Sequence, residues 1–123
     1  MKVHVDINYM KVKKITNAQI VSAKKTAAHL RKLIINEQVI PFRTGHLQND
    51  MTDVDLTEAK QGKVAITHDG PYAARMYYNP QYHFHKEFNP NARGMWWEAY
   101  LTGDKKKVPF KLYKAYFKKE SGV

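Results

Sequence analysis

Polar and apolar residues alternate from Lys2 to Ile7, with Val3, Val5 and Ile7 on one side and Lys2, His4 and Asp6 on the other. A period of two predicts a short, half-buried strand. The period then lengthens. Apolar residues recur at Ile20, Ala23, Ala27, Leu30 and Ile34, with Val21, Ala28 and Leu33 beside them, which predicts an amphipathic helix running to about Asn36. Thr16 followed three residues later by Gln19 has the form of a capping box, and Asn17 is a second candidate cap. Lys24, Lys25, Arg31 and Lys32 are expected on the outer side of this helix, and Pro41 requires that it end by about Val39.

Alternation returns at Met51–Thr57, with Met51, Val54 and Leu56 as the expected inward residues, and again around Val64 and Ile66. Lys60-Gln61-Gly62 between them predicts a hairpin turn in which glycine supplies positive φ. Asp69-Gly70-Pro71 breaks the pattern, and Pro71 suits the first position of a short helix through Tyr78. Residues 79–91 read as an extended loop with room for one strand. A helix is expected to resume near Ala92 and to carry Trp96, Trp97 and Tyr100 to about Leu101. After Thr102-Gly103-Asp104, Val108 to about Glu120 predicts a last helix with Phe110, Tyr113 and Phe117 on one side. The six glycines read as turn residues. The elements add up to an α+β domain: an antiparallel β-sheet, a long N-terminal helix packed across it, and aromatic-rich C-terminal helices.

The 123 residues make a single domain, 1–123, with neither an internal repeat nor a low-complexity linker. The chain has no cysteine, which excludes disulfides and thiolate metal sites. No apolar run approaches the roughly 18 residues of a membrane span, and the N-terminus lacks a continuous apolar leader. The expectation is a protein with no membrane partner.

Charge changes the picture more. The net charge is +10, from 21 Lys plus Arg against 11 Asp plus Glu, which favours an anionic partner. Residues 11–32 and 105–119 are basic without acids, whereas Asp50, Asp53, Asp55 and Glu58 cluster without a base. This acidic segment is a candidate inter-subunit strand against a basic face. Lys107, Lys111, Lys114 and Lys118 are spaced 4, 3 and 4 and form one line on a helix. The line is a candidate face toward DNA or an acidic partner, although the polar side of any amphipathic helix has a similar pattern.

Signals for catalysis are sparse. His83 and His85 have the spacing of two ligands on one strand face, but no third ligand follows from the spacing, and Asp69 would have to approach from elsewhere. Packing and hydrogen bonding are the plainer use for both. Asp50, Asp53 and Asp55 resemble a nuclease carboxylate cluster only superficially, since Asp53 and Asp55 share the outer face of their strand. No nucleophile elbow, phosphate-cradling glycine loop or HExxH helix is present. No enzyme, cofactor or metal is expected.

Three stretches carry a resemblance to a family. Pro41-Phe42-Arg43-Thr44-Gly45-His46-Leu47 resembles the segment after the first helix of small phage neck proteins, with Pro41, Thr44, Gly45 and Leu47 as the matching positions. Gly70 to Tyr78 resembles the segment after their hairpin, through Pro71, Tyr72, Ala73, Tyr77 and Tyr78. Asn89-Pro90 with Trp96-Trp97-Glu98-Ala99 resembles a third. In order and spacing the chain is similar to the minor capsid proteins of long-tailed bacteriophages, which are akin to head–tail joining and tail-completion proteins. It departs from them at Gly103-Asp104, which interrupts the helix after the Trp segment.

The resemblance implies a non-enzymatic subunit of the virion neck, assembled in the host cytoplasm, whose copies ring the head–tail junction. Six copies would match a six-fold tail, and a twelve-fold portal-side ring is the alternative. The implied partners are the chain itself, the adaptor or stopper and tail-terminator proteins, and genomic DNA passing through the channel. The residues alone leave two other readings open: a small basic nucleic-acid-binding module, and a metal-dependent nuclease using His83 and His85.

Overall fold

The computed structural model describes residues 3–8, 16–41, 47, 49, 51–84 and 86–122. The elements run β1 (Val3–Asn8), α1 (Asn17–Asn36), β2 (Thr52–Asp55), β3 (Lys63–His68), α2 (Pro71–Tyr77), α3 (Glu98–Leu101) and α4 (Val108–Ser121). The fold is α+β, with a long N-terminal helix, an antiparallel sheet and C-terminal helices.

α1 begins where its first-turn amide groups find partners. Thr16 Oγ1 accepts from the Gln19 amide at 3.3 Å, and Gln19 Oε1 accepts from the Thr16 amide at 2.8 Å. This reciprocal cap contributes about 1 kcal/mol. Ala23, Ala27, Leu30 and Ile34 form its buried stripe, and Ser22 and Thr26 are buried too because their hydroxyls donate to the carbonyls of Ala18 and Ser22. The helix stops at Glu37, and Gln38 turns the chain with φ 57.

The sheet order is β1-β3-β2, antiparallel at both joins. Val3, Val5, Val64, Ile66 and His68 share one face by register, together with Thr52 and Val54 of β2. That face meets α1, α2 and the Trp96-Trp97-Tyr100 segment in one core cluster. β2 and β3 are joined through a single 3-10 turn, Ala59–Gln61, which closes on Gly62 at φ 80. This is a conformation that glycine adopts without the clash a Cβ would bring. α4 lies outside, against α1, and has no fully buried residue.

Several expectations need correction. Leu56 follows the end of β2 and is 43% exposed, because β2 stops at Asp55 and the chain turns. Thr52 takes the buried place at the other end of the strand. Glu58 therefore lies in the turn and not in an acidic strand. No strand occurs among the described residues of 79–91. Trp96 and Trp97 sit in turns, and only Glu98–Leu101 is helical. Phe110 is 61% exposed, and the packed side of α4 is formed by Leu112, Tyr113, Tyr116 and Phe117. Arg31 is half-buried, and its Nε donates to the Thr52 carbonyl at 2.7 Å. Gly94 and Gly103 are close-approach residues as well as turn residues. A Cβ on Gly94 would stand 2.8 Å from Pro80 Cα, and one on Gly103 would stand 2.7 Å from Ala99 Cα.

Candidate functional site

The most highly organised polar group in the described structure is His68, at the end of β3 and 0% exposed. Thr52 Oγ1 donates to the Leu47 carbonyl at 2.6 Å. Its one proton is thereby used, so at its 3.0 Å contact with His68 Nδ1 it accepts, and Nδ1 carries the hydrogen. Nε2 is then the acceptor, and it receives both indole N–H groups, Trp96 at 3.2 Å and Trp97 at 2.8 Å. Trp96 also meets the His68 ring edge-on, with centroids 5.2 Å apart, and Tyr77 at 4.7 Å. Burial lowers the His68 pKa to about 4; Asp69 opposes the shift and Arg31 adds to it. A proton on Nε2 would oppose two donors at once. The ring is therefore neutral and fully engaged, with no nitrogen facing solvent. Nothing in the sequence reading singled out His68. The signal was the adjacent pair Trp96-Trp97, because two buried indole N–H groups require an acceptor.

This centre joins the segments that carry the family resemblance. Leu47, buried at the end of the first segment, accepts from Thr52. Trp96 and Trp97 of the third segment donate to His68, which lies three residues before Pro71. Asn89 is buried, and its Nδ2 donates to the Ile40 carbonyl at 2.7 Å, next to buried Pro41. The Arg93 amide donates to the Val39 carbonyl at 3.0 Å, and the Met95 amide to the Tyr77 carbonyl at 2.8 Å. Ala73 and Tyr77 are buried, Tyr72 is half-buried, and Tyr78 and Pro90 are exposed. Thr44 and Gly45 lie outside the described residues. Pro71 opens α2.

A second constellation lies at the surface. Lys111, Lys114 and Lys118 are exposed along α4, on the side away from its packed residues, and exposed Lys107 is its N-cap. α4 is held to α1 by the Lys25–Glu120 ion pair and by His29 Nδ1 and the Tyr116 hydroxyl at 2.8 Å, and the Glu37 carboxylate at the end of α1 ties down the segment before α4. Glu37 binds Lys105 and accepts from the Tyr100 hydroxyl at 2.9 Å. The Tyr100 pKa is raised, by burial first and then by this bond and the Glu37 charge.

The remaining candidates do not assemble. Asp53 is exposed, while Asp55 is half-buried and its Oδ1 accepts from the amide and hydroxyl of Thr57 at 3.0 and 2.8 Å. Glu58 stands 3.6 Å from Lys63. Asp50 and His85 lie outside the described residues, and His83 is exposed. Among the described residues no three His, Cys, Asp or Glu side chains gather as metal ligands. No described helix is long and apolar enough to cross a membrane.

Fold and site together define a class: a two-layer α+β domain built over a His–Trp–Trp–Thr centre, with a basic helix on its outside. Comparison with protein-family models, curated proteins and solved structures finds no match for this chain.

Proposed function

We propose that the chain is a structural subunit of the neck of a long-tailed bacteriophage, a minor capsid or tail-completion protein whose copies form a ring between head and tail. One observation carries this reading. The His68 centre is reached from the first segment by Leu47 through Thr52 and from the third by Trp96 and Trp97, and the second meets the third where the Met95 amide donates to the Tyr77 carbonyl and Tyr77 packs on Trp96. Residues that build one centre are expected to persist together in a family for the sake of its fold.

The surface suits a subunit completed by assembly. Tyr78 is 61% exposed and Phe88 58%, and Tyr82 and Met95 are exposed on the same stretch of chain. Aromatic and Met side chains of this kind are enriched where proteins meet. In this reading the ring touches other neck proteins on its two sides and the chain performs no chemistry.

Electron microscopy of lysates from a phage carrying an early stop codon in this gene tests the proposal. DNA-filled heads beside complete, unattached tails are expected. Joined, normal virions would overturn the neck reading and favour a nucleic-acid-binding module.

A further inference from the structure

We infer that the outer ridge of α4 is a binding surface for the phosphate backbone of double-stranded DNA, read without regard to sequence. The inference goes beyond the neck reading and does not depend on it, because it concerns what the isolated chain binds.

Helical geometry brings the four lysines together. At 100° per residue, Lys107, Lys111, Lys114 and Lys118 fall within roughly 60° of one another, and 11 residues of rise carry them over roughly 16 Å. The half-buried residues Leu112, Tyr113, Tyr116 and Phe117 occupy the opposite side, so the ridge points away from the protein. Among the described residues none of the four lysines has an ion-pair partner. The nearby acids do not neutralise the line: Glu120 is tied to Lys25 on the packed side, and exposed Asp104 precedes the helix.

The character of the ridge favours nucleic acid over an acidic protein. Protein interfaces concentrate aromatic and apolar anchors and are depleted in lysine. This ridge is the reverse, with Phe110 as the one large apolar side chain beside it. Flexible ammonium groups in a row, without the planar forks that read bases, fit a polyphosphate backbone that positions and does not specify. Binding should therefore be weak, indifferent to sequence and steep in salt.

The test is fluorescence anisotropy of a short labelled DNA duplex titrated with the full chain between about 50 and 200 mM KCl. Four phosphate contacts predict that log K falls against log salt with a slope of about −3.6. Lys114→Gln with Lys118→Gln should reduce the slope by about 2, while Lys114→Arg with Lys118→Arg should retain it. Lys60→Gln with Lys86→Gln, on other exposed surface, is the control and should leave the slope unchanged. Circular dichroism confirms that each variant is folded. An equal loss in the control pair would overturn the proposal in favour of diffuse attraction by net charge. So would no binding at the lowest salt, or retention on an acidic protein but not on the duplex. Failure of the stop-codon test with the ridge-dependent slope intact would remove the neck reading and leave this one standing.

Discussion

At the scale of single residues, His68 couples the stability of the fold to pH. Its pKa is about 4 in the folded chain, against about 6.5 when unfolded. As pH falls, the unfolded chain therefore takes up the proton first. The stabilisation is complete above about pH 6.5 and is lost progressively as pH falls toward 4, amounting to about 2–3 kcal/mol by about pH 4.5. Urea unfolding at about pH 7 and about pH 4.5 should show that difference in the native protein, and a markedly smaller one in His68→Leu. The variant should also be less stable near neutrality, since two buried indole donors lose their shared acceptor. An unchanged pH dependence in the variant would show that other groups carry it. His68 was not legible in the sequence for a plain reason. Its role depends on Thr52 and on Trp96 and Trp97, 16, 28 and 29 residues away, and no local period reports such a meeting.

At the scale of elements, α4 is set apart from the rest. α1 and β3 bury Ala23, Ala27, Leu30, Ile34, Val64 and Ile66, whereas α4 buries nothing completely and is held by half-exposed aromatics and a few polar bonds. Apolar burial supplies most helical stability, at roughly 25 cal/mol per Å². α4 should accordingly open before the core does. Native-state hydrogen exchange should find amides of residues 112–119 less protected than those of Leu30 and Ile66. Equal protection throughout would mean that α4 folds and unfolds as part of the central unit. The sequence predicted this helix correctly but assigned Phe110 to its packed side. An aromatic at helical spacing fits either edge of an apolar stripe, and only the direction in which α1 lies decides between them. The Trp segment failed differently. Met95 takes φ 46, and the Met95 amide donates to the Tyr77 carbonyl at 2.8 Å. Long-range bonds of this kind hold both tryptophans in a turned chain where their spacing had suggested a helix.

At the scale of the whole molecule, the exposed aromatics mark where the neck proposal meets observation. Tyr78 belongs to a family-like segment, yet its side chain is 61% exposed while Tyr77 beside it is buried. Its ring stands edge-on to that of Tyr77, with centroids 5.1 Å apart, and the rest of its surface is open to a partner. Tyr78→Lys is therefore expected to lower the melting temperature by no more than about 5 °C, the loss of one exposed aromatic pair, while reducing the yield of joined virions. Thermal melts and electron microscopy of the same variant check the two halves. A large loss of melting temperature would make Tyr78 a folding residue and withdraw it from the assembly surface.

The sequence by itself determined the elements whose signals are local. The capping box at Thr16 and Gln19, the apolar stripe of α1, the glycine turn at Gly62 and the proline start of α2 each depend on residues within a few positions of one another. Their energies are fixed by backbone geometry and neighbouring side chains, so the α+β class was legible from them. Tertiary structure alone decided which of the six histidines lies buried between two tryptophans, which face of α4 meets α1, and why Gly94 must lack a side chain against Pro80. It also decided that the Asp50–Glu58 acids do not form one strand, since β2 ends at Asp55. Each of these depends on contacts between residues far apart in the chain, where burial and the need to satisfy every buried donor outweigh local preference.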